Sequence, residues 1–147
     1  MQKMPASSPA NDFSREIPCY VSVDVETSGP NPGSYSLLSI GACTVAKPRR
    51  SFYVELKPVN EEFIPEAMAI NGLSIEVLAV RGLHPSEAMA SFEGWLQQSS
   101  GAAKLIFVAF NAAFDWMFVC DYFHRYLGRN PFGHSPLDIK ALYMGLH

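Results

Sequence analysis

The segment Cys19 to Glu26 constrains the chain most. Cys19, Val21, Val23 and Val25 alternate with Tyr20, Ser22, Asp24 and Glu26, the period-two pattern of a strand with one buried face. Asp24 and Glu26 then project from the same side, about 6 to 7 Å apart along the backbone. Two ionised carboxylates so placed repel each other, and the strand contains no Lys or Arg to neutralise them. Setting them side by side in a strand of core character costs several kcal/mol in the absence of a partner, of order ~2–7 per polar group. A divalent cation removes the conflict, and hard oxygen ligands select Mg²⁺ or Mn²⁺ rather than zinc. The bland alternative is that both acids lie on a solvated sheet face.

The rest of the chain reads as one α/β domain. GPNPGS breaks the first strand, residues 36 to 46 and 51 to 57 read as two more strands, and KPRR between them is a polar turn, which predicts an antiparallel three-stranded meander. Short helical pieces are expected near 65 to 70 and 74 to 80, around the Asn71-Gly72 break. An amphipathic helix is expected over 85 to 98, with Ala88, Met89, Phe92, Trp95 and Leu96 as its stripe. Leu105 to Phe110 is continuously apolar, as in a strand buried on both faces, and feeds a helical stretch from about 113 to 127. Residues 137 to 145 begin one more strand end or helix.

Composition narrows the class. With 147 residues, 48% hydrophobic and 17% charged, against about 25% charged in typical soluble domains, most of the chain is built to pack. Residues 1 to 16, rich in Ser, Pro, Ala and Asn, read as a flexible tail without an apolar signal region, so a cytoplasmic location is expected. No apolar run is long enough for a membrane span. Cys19, Cys43 and Cys120 sit at long spacings inside apolar runs and read as core thiols. A net charge of −3 argues against a broad basic footprint for duplex DNA and leaves room for a small site built around metal ions.

The second informative stretch is FVAFNAAFDWMFV, where Asp115 stands between Phe114 and Trp116 just past a buried strand. It is either an acid at a helix N-terminus or a further ligand at a strand's carboxyl end. Taken together, VDVETSG and AFNAAFD resemble the first two motifs of the DEDDh exonucleases, the superfamily of ribonuclease T, oligoribonuclease and the polymerase proofreading subunit. LLSIG at 37–41, INGLSIEVL at 70–78 and the helix ending in Trp95-Leu96 extend the likeness over residues 20 to 147.

The resemblance implies an RNase H-like fold with a mixed central sheet and flanking helices. It also implies metal-dependent 3′-to-5′ removal of nucleoside 5′-monophosphates from single-stranded nucleic acid. By motif position Asp24, Glu26 and Asp115 would be catalytic metal ligands for two divalent ions, Mg²⁺ or Mn²⁺. Thr27, Asn111 and Phe114 would line the site of the terminal nucleotide. The family also uses a His and a fourth acid in an H-x4-D pattern on a C-terminal helix, and no such pair occurs in this sequence. His134 and Asp138 are spaced H-x3-D with Pro136 between them. LDIKALY looks instead like the family's Asp-containing segment upstream of that motif. The exonuclease domain over 17 to 147 is therefore expected to be incomplete, lacking its last helix, and a second copy of the chain is an expected partner for the apolar surface left uncovered. Two other readings stay open: an inactive relative that binds nucleic acid or protein, and a haloacid-dehalogenase-type phosphatase, for which DVET would stand in for D-x-D-x-T.

Overall fold

The computed structural model describes residues 17–147, so the expected tail over 1 to 16 lies outside the described residues. The alternating segment forms β1 (Cys19–Thr27), followed by β2 (Leu37–Thr44) and β3 (Ser51–Glu55) in an antiparallel meander. Two short helices, α1 (Pro65–Asn71) and α2 (Ile75–Arg81), lead to α3 (Pro85–Ser100). The chain then runs through β4 (Leu105–Ala109), α4 (Ala112–Leu127), β5 (Leu137–Asp138) and α5 (Ile139–Leu146). The five-stranded sheet has the order β3-β2-β1-β4-β5, with β4 parallel to both β1 and β5. It is a mixed sheet, as expected.

Each element ends where its residues dictate. Gly72 and Gly128 close α1 and α4 in the left-handed conformation, at φ of 68° and 74°, which glycine adopts without a Cβ penalty. Ser74 caps α2 by accepting the Val77 N–H. The residues 45 to 50 form an exposed turn, so Lys47, Arg49 and Arg50 are solvated as expected.

The buried side of β1, carrying Val21, Val23 and Val25, packs with Ile40, Leu56 and Phe107 against Met89, Phe92, Leu96, Phe118 and Phe123 of α3 and α4. Phe92 stacks on both Phe52 and Phe123. Tyr122 of α4 is fully buried, and its hydroxyl oxygen accepts the Leu37 N–H at 2.9 Å, tying α4 to the start of β2. Burial pushes that phenol up to about 12.

Two expectations need correction. Phe110 lies beyond the end of β4 and is 67% exposed, because the chain turns into α4 there and the ring has no facing layer. Cys19, Cys43 and Cys120 are free and half-buried rather than fully buried in the core; Cys19 packs against the core from the first position of β1. No helix among the described residues is long and apolar enough to cross a membrane.

Candidate active site

The polar side of β1 presents Asp24, exposed, and Glu26, half-buried. Across the ladder to β2, Asp24 faces Gly41 and Glu26 faces Ser39. Small partners leave space above the acids, and a cleft of about 390 Å³ opens there between Tyr53 on β3 and Asn71 at the end of α1.

The third acid arrives from α4. Ala112, Asp115, Phe118, Val119, Tyr122 and Phe123 form the buried stripe of that helix, so Asp115 is a charge on a face that otherwise packs into the core. Its Oδ1 accepts the N–H of Val25 at 3.0 Å. Val25 lies between Asp24 and Glu26, so this bond inserts the Asp115 carboxyl at the strand position between the two acids.

The electrostatics agree with that placement. Burial pushes Asp115 up to about 6; the Val25 N–H pulls it down, and the nearby charges of Asp24 and Glu26 push it up again. Glu26 is raised as well, by burial first and by Asp24 second. The ion pairs among the described residues, Arg125 with Asp121 and Arg129 with Glu93, lie elsewhere. Three carboxyls thus share a region with no cation among them, and a set of hard oxygen donors suits a hard divalent cation. In the arrangement seen, no three His, Cys, Asp or Glu side chains among the described residues are gathered closely enough to hold an ion.

Beside the acids lies an apolar hollow of about 270 Å³, bounded by Thr27, Gly29, Pro30, Ile64, Ala67 and Phe114. Thr27 is buried, and its hydroxyl donates to the Gly29 carbonyl at 2.8 Å. Its own carbonyl accepts from the Asn71 amide at 3.1 Å, which docks α1 on the end of β1. Asn111 is exposed at the start of α4, with a side chain that makes no capping hydrogen bond. Of the three residues the resemblance assigns to a terminal nucleotide, Thr27 and Phe114 bound this hollow and Asn111 does not; the opposite wall, Ile64 and Ala67, was missed, although both precede the INGLSIEVL stretch by a few residues. The sequence marked Asn71 only as a break. The apolar spacing of Ile64, Ala67 and Met68 on a short helix was the available signal.

The chain is 54% identical over 128 residues to the 3′-5′ DNA exonuclease Cap18 of Escherichia coli, covering 86% of this chain and 68% of that protein. The chain belongs to the DEDDh 3′-to-5′ exonuclease family. Ribonuclease T of Salmonella typhimurium is 32% identical over 126 residues, with 76% of this chain and 58% of that protein covered. No family model matches. The fold is that of exonuclease I. The E. coli enzyme in complex with a dA16 oligonucleotide superposes with a TM-score of 0.70 at 16% identity, over 86% of this chain and 29% of that one. The enzyme from Methylocaldum szegediense gives 0.70 at 19%, again over 86% and 29%. The RNase H-like architecture is therefore established, and the DVET strand is that of a nuclease family rather than of a phosphatase.

Asp138 lies at the end of β5. The charges felt by Asp115 are those of Asp24 and Glu26, while the Asp138 carboxylate is engaged by main-chain N–H groups two strands away from β1. His84 caps α3 through the Ser86 N–H, and His124 is exposed on α4.

Proposed function

We propose that this chain is a metal-dependent 3′-to-5′ exonuclease domain acting on single-stranded ends, DNA in the first instance, and releasing nucleoside 5′-monophosphates. The observation that carries this reading is the hydrogen bond from Val25 N–H to Asp115 Oδ1, which sets a buried acid from α4 between two acids of β1. Asp24, Glu26 and Asp115 would hold two divalent ions, Mg²⁺ or Mn²⁺. Such ions, when bound, lower the pKa of a water and neutralise charge on the scissile phosphate. The preference for DNA follows the 54% relative, whose name specifies DNA, over the 32% relative, a ribonuclease.

The chain's own residues supply position. Asp115 is buried and held by the Val25 N–H, whereas Asp24 is exposed. The Phe114 ring and the Ile64 and Ala67 side chains offer an apolar slot for one base, and stacking there is worth about 1–3 kcal/mol per base without sequence preference.

A 5′-labelled single strand of DNA incubated with Mg²⁺ or Mn²⁺ should shorten stepwise from its 3′ end and stop on chelation. No shortening at enzyme in excess over substrate would overturn the reading. Phe114→Ala should raise KM about 5- to 100-fold, in line with one lost stacking contact, and leave kcat within a few-fold.

A second reading, a binding module that holds a single strand without cleaving it, draws on the open arrangement of the three acids, which are not gathered closely enough to hold an ion; calorimetric binding with no product would select it. We also propose a cytoplasmic setting, which suits three free thiols, and a homodimer through α5. That helix has no buried residue and exposes Leu142, Tyr143, Met144 and Leu146. Sedimentation showing a single-chain mass at micromolar concentration would remove the dimer.

A further inference from the structure

Among the described residues, Asn111 is the one non-glycine residue with a positive φ, at 57° with ψ 54°. A side chain in the left-handed region is strained, and such a conformation persists where surrounding groups hold it. What holds it is Asp138. Its Oδ1 accepts the N–H of Asn111 at 2.9 Å and the N–H of Lys140 at 3.0 Å. Both N–H groups lie at helix starts, where no carbonyl of the helix itself can accept them. Asp138 ends β5 and pairs with Ala109 of β4, two residues before Asn111. One carboxylate oxygen therefore ties the turn that launches α4 to the first turn of α5, and its charge sits favourably at both helix N-termini.

We propose that Asp138 is a positioning residue for the candidate active site. By pinning the Asn111 main chain it fixes where α4 begins, and so where Asp115 meets the Val25 N–H and where Phe114 bounds the apolar hollow. Phe114 and Asp115 lie three and four residues beyond the pinned N–H, within the first turn of α4, where no earlier turn restrains the helix. Further along, Phe118, Tyr122 and Phe123 are buried and hold the helix body without setting its start. The inference rests on the reading of Asp115 as a metal ligand.

The test uses Asp138→Ala, Asp138→Ser and Asp138→Asn in the full chain. Asparagine keeps a carbonyl oxygen able to accept both N–H groups. Serine keeps the cap on Lys140, so α5 stays formed, but its hydroxyl stops one bond short of Asn111. Alanine accepts neither. Amide hydrogen exchange of Val25 reads the Asp115 contact without any metal, and the Leu37 amide, bonded to Tyr122 on the same helix, serves as the control. In the Ala and Ser variants Val25 should exchange roughly tenfold faster while Leu37 keeps its protection, and Mn²⁺ should bind roughly tenfold more weakly, the effect of losing a supporting partner of a ligand. The Asn variant should match the wild type in both. Unchanged Val25 exchange in the Ser variant would overturn the proposal, as would equal acceleration of Val25 and Leu37, which marks general loosening. Wild-type protein that binds no Mn²⁺ would defeat the metal reading of Asp115, and the Val25-to-Leu37 comparison would still decide whether Asp138 positions it.

Discussion

Asp24→Ala is expected to abolish metal-dependent shortening of a single strand, lowering the rate by more than about a hundredfold, since even loss of a supporting partner of a ligand costs about 10–100-fold. The same substitution should raise the melting temperature of the metal-free protein at neutral pH. Asp24 is exposed and pairs with no cation among the described residues, so its removal costs little packing, and it relieves the repulsion that raises both Glu26 and Asp115. Opposite effects on activity and on metal-free stability distinguish a ligand from a structural acid. Saturating Mn²⁺ should stabilise the wild type by about 2.7 kcal/mol at a hundredfold excess over its dissociation constant and leave the variant unmoved. Thermal melts with and without Mn²⁺ read both. A variant that still cleaves, or a wild type that Mn²⁺ fails to stabilise, would contradict the assignment.

Asp115→Asn is expected to change the pH dependence of stability. The Asp115 carboxyl rises from 3.8 to about 6 in the fold, chiefly through burial. Between those values the native protein binds more protons than the unfolded chain, so metal-free stability falls as pH rises from about 4 to 6 and levels off above. The asparagine oxygen can still accept the Val25 N–H while carrying no charge. The variant should therefore lose most of that slope and be the more stable protein at pH 7; Glu26, raised for the same reasons, leaves a smaller slope of the same sign. In the wild type an ion must displace the Asp115 proton, so Mn²⁺ affinity should climb roughly tenfold per pH unit below about pH 6. Urea unfolding across pH 4 to 8 checks the first expectation and calorimetry the second. Parallel curves for wild type and variant would show that Asp115 does not carry the effect.

Much of this site was legible in the sequence because strand alternation is a local property. Asp24 and Glu26 had to share a side once Val21, Val23 and Val25 were assigned to the other, and β1 bears this out. The placement of Asp115 in the first turn of α4 followed from the apolar run that ends at Phe110. The half of the apolar hollow at α1 was not legible. Ile64 and Ala67 approach Phe114 because the Asn71 amide bonds the Thr27 carbonyl, across 44 residues of chain, and the Ile64 N–H bonds the Ser28 carbonyl. The role of Asp138 was not legible for a similar reason: the sequence only set it apart from the H-x4-D acid, and the parallel pairing of β5 with β4 is what brings it to Asn111.

The sequence by itself determined the elements, their amphipathic faces and the two acids on one strand, since side-chain periodicity depends on residues within a few positions of each other. The tertiary structure decided that Asp115 meets β1 at Val25, 90 residues away in the chain. That meeting depends on β4 lying parallel beside β1 and on the buried stripe of α4 turning toward the sheet. Both are set by packing between distant segments, where the area buried outweighs the cost of taking one carboxyl out of water, and no local pattern encodes the register.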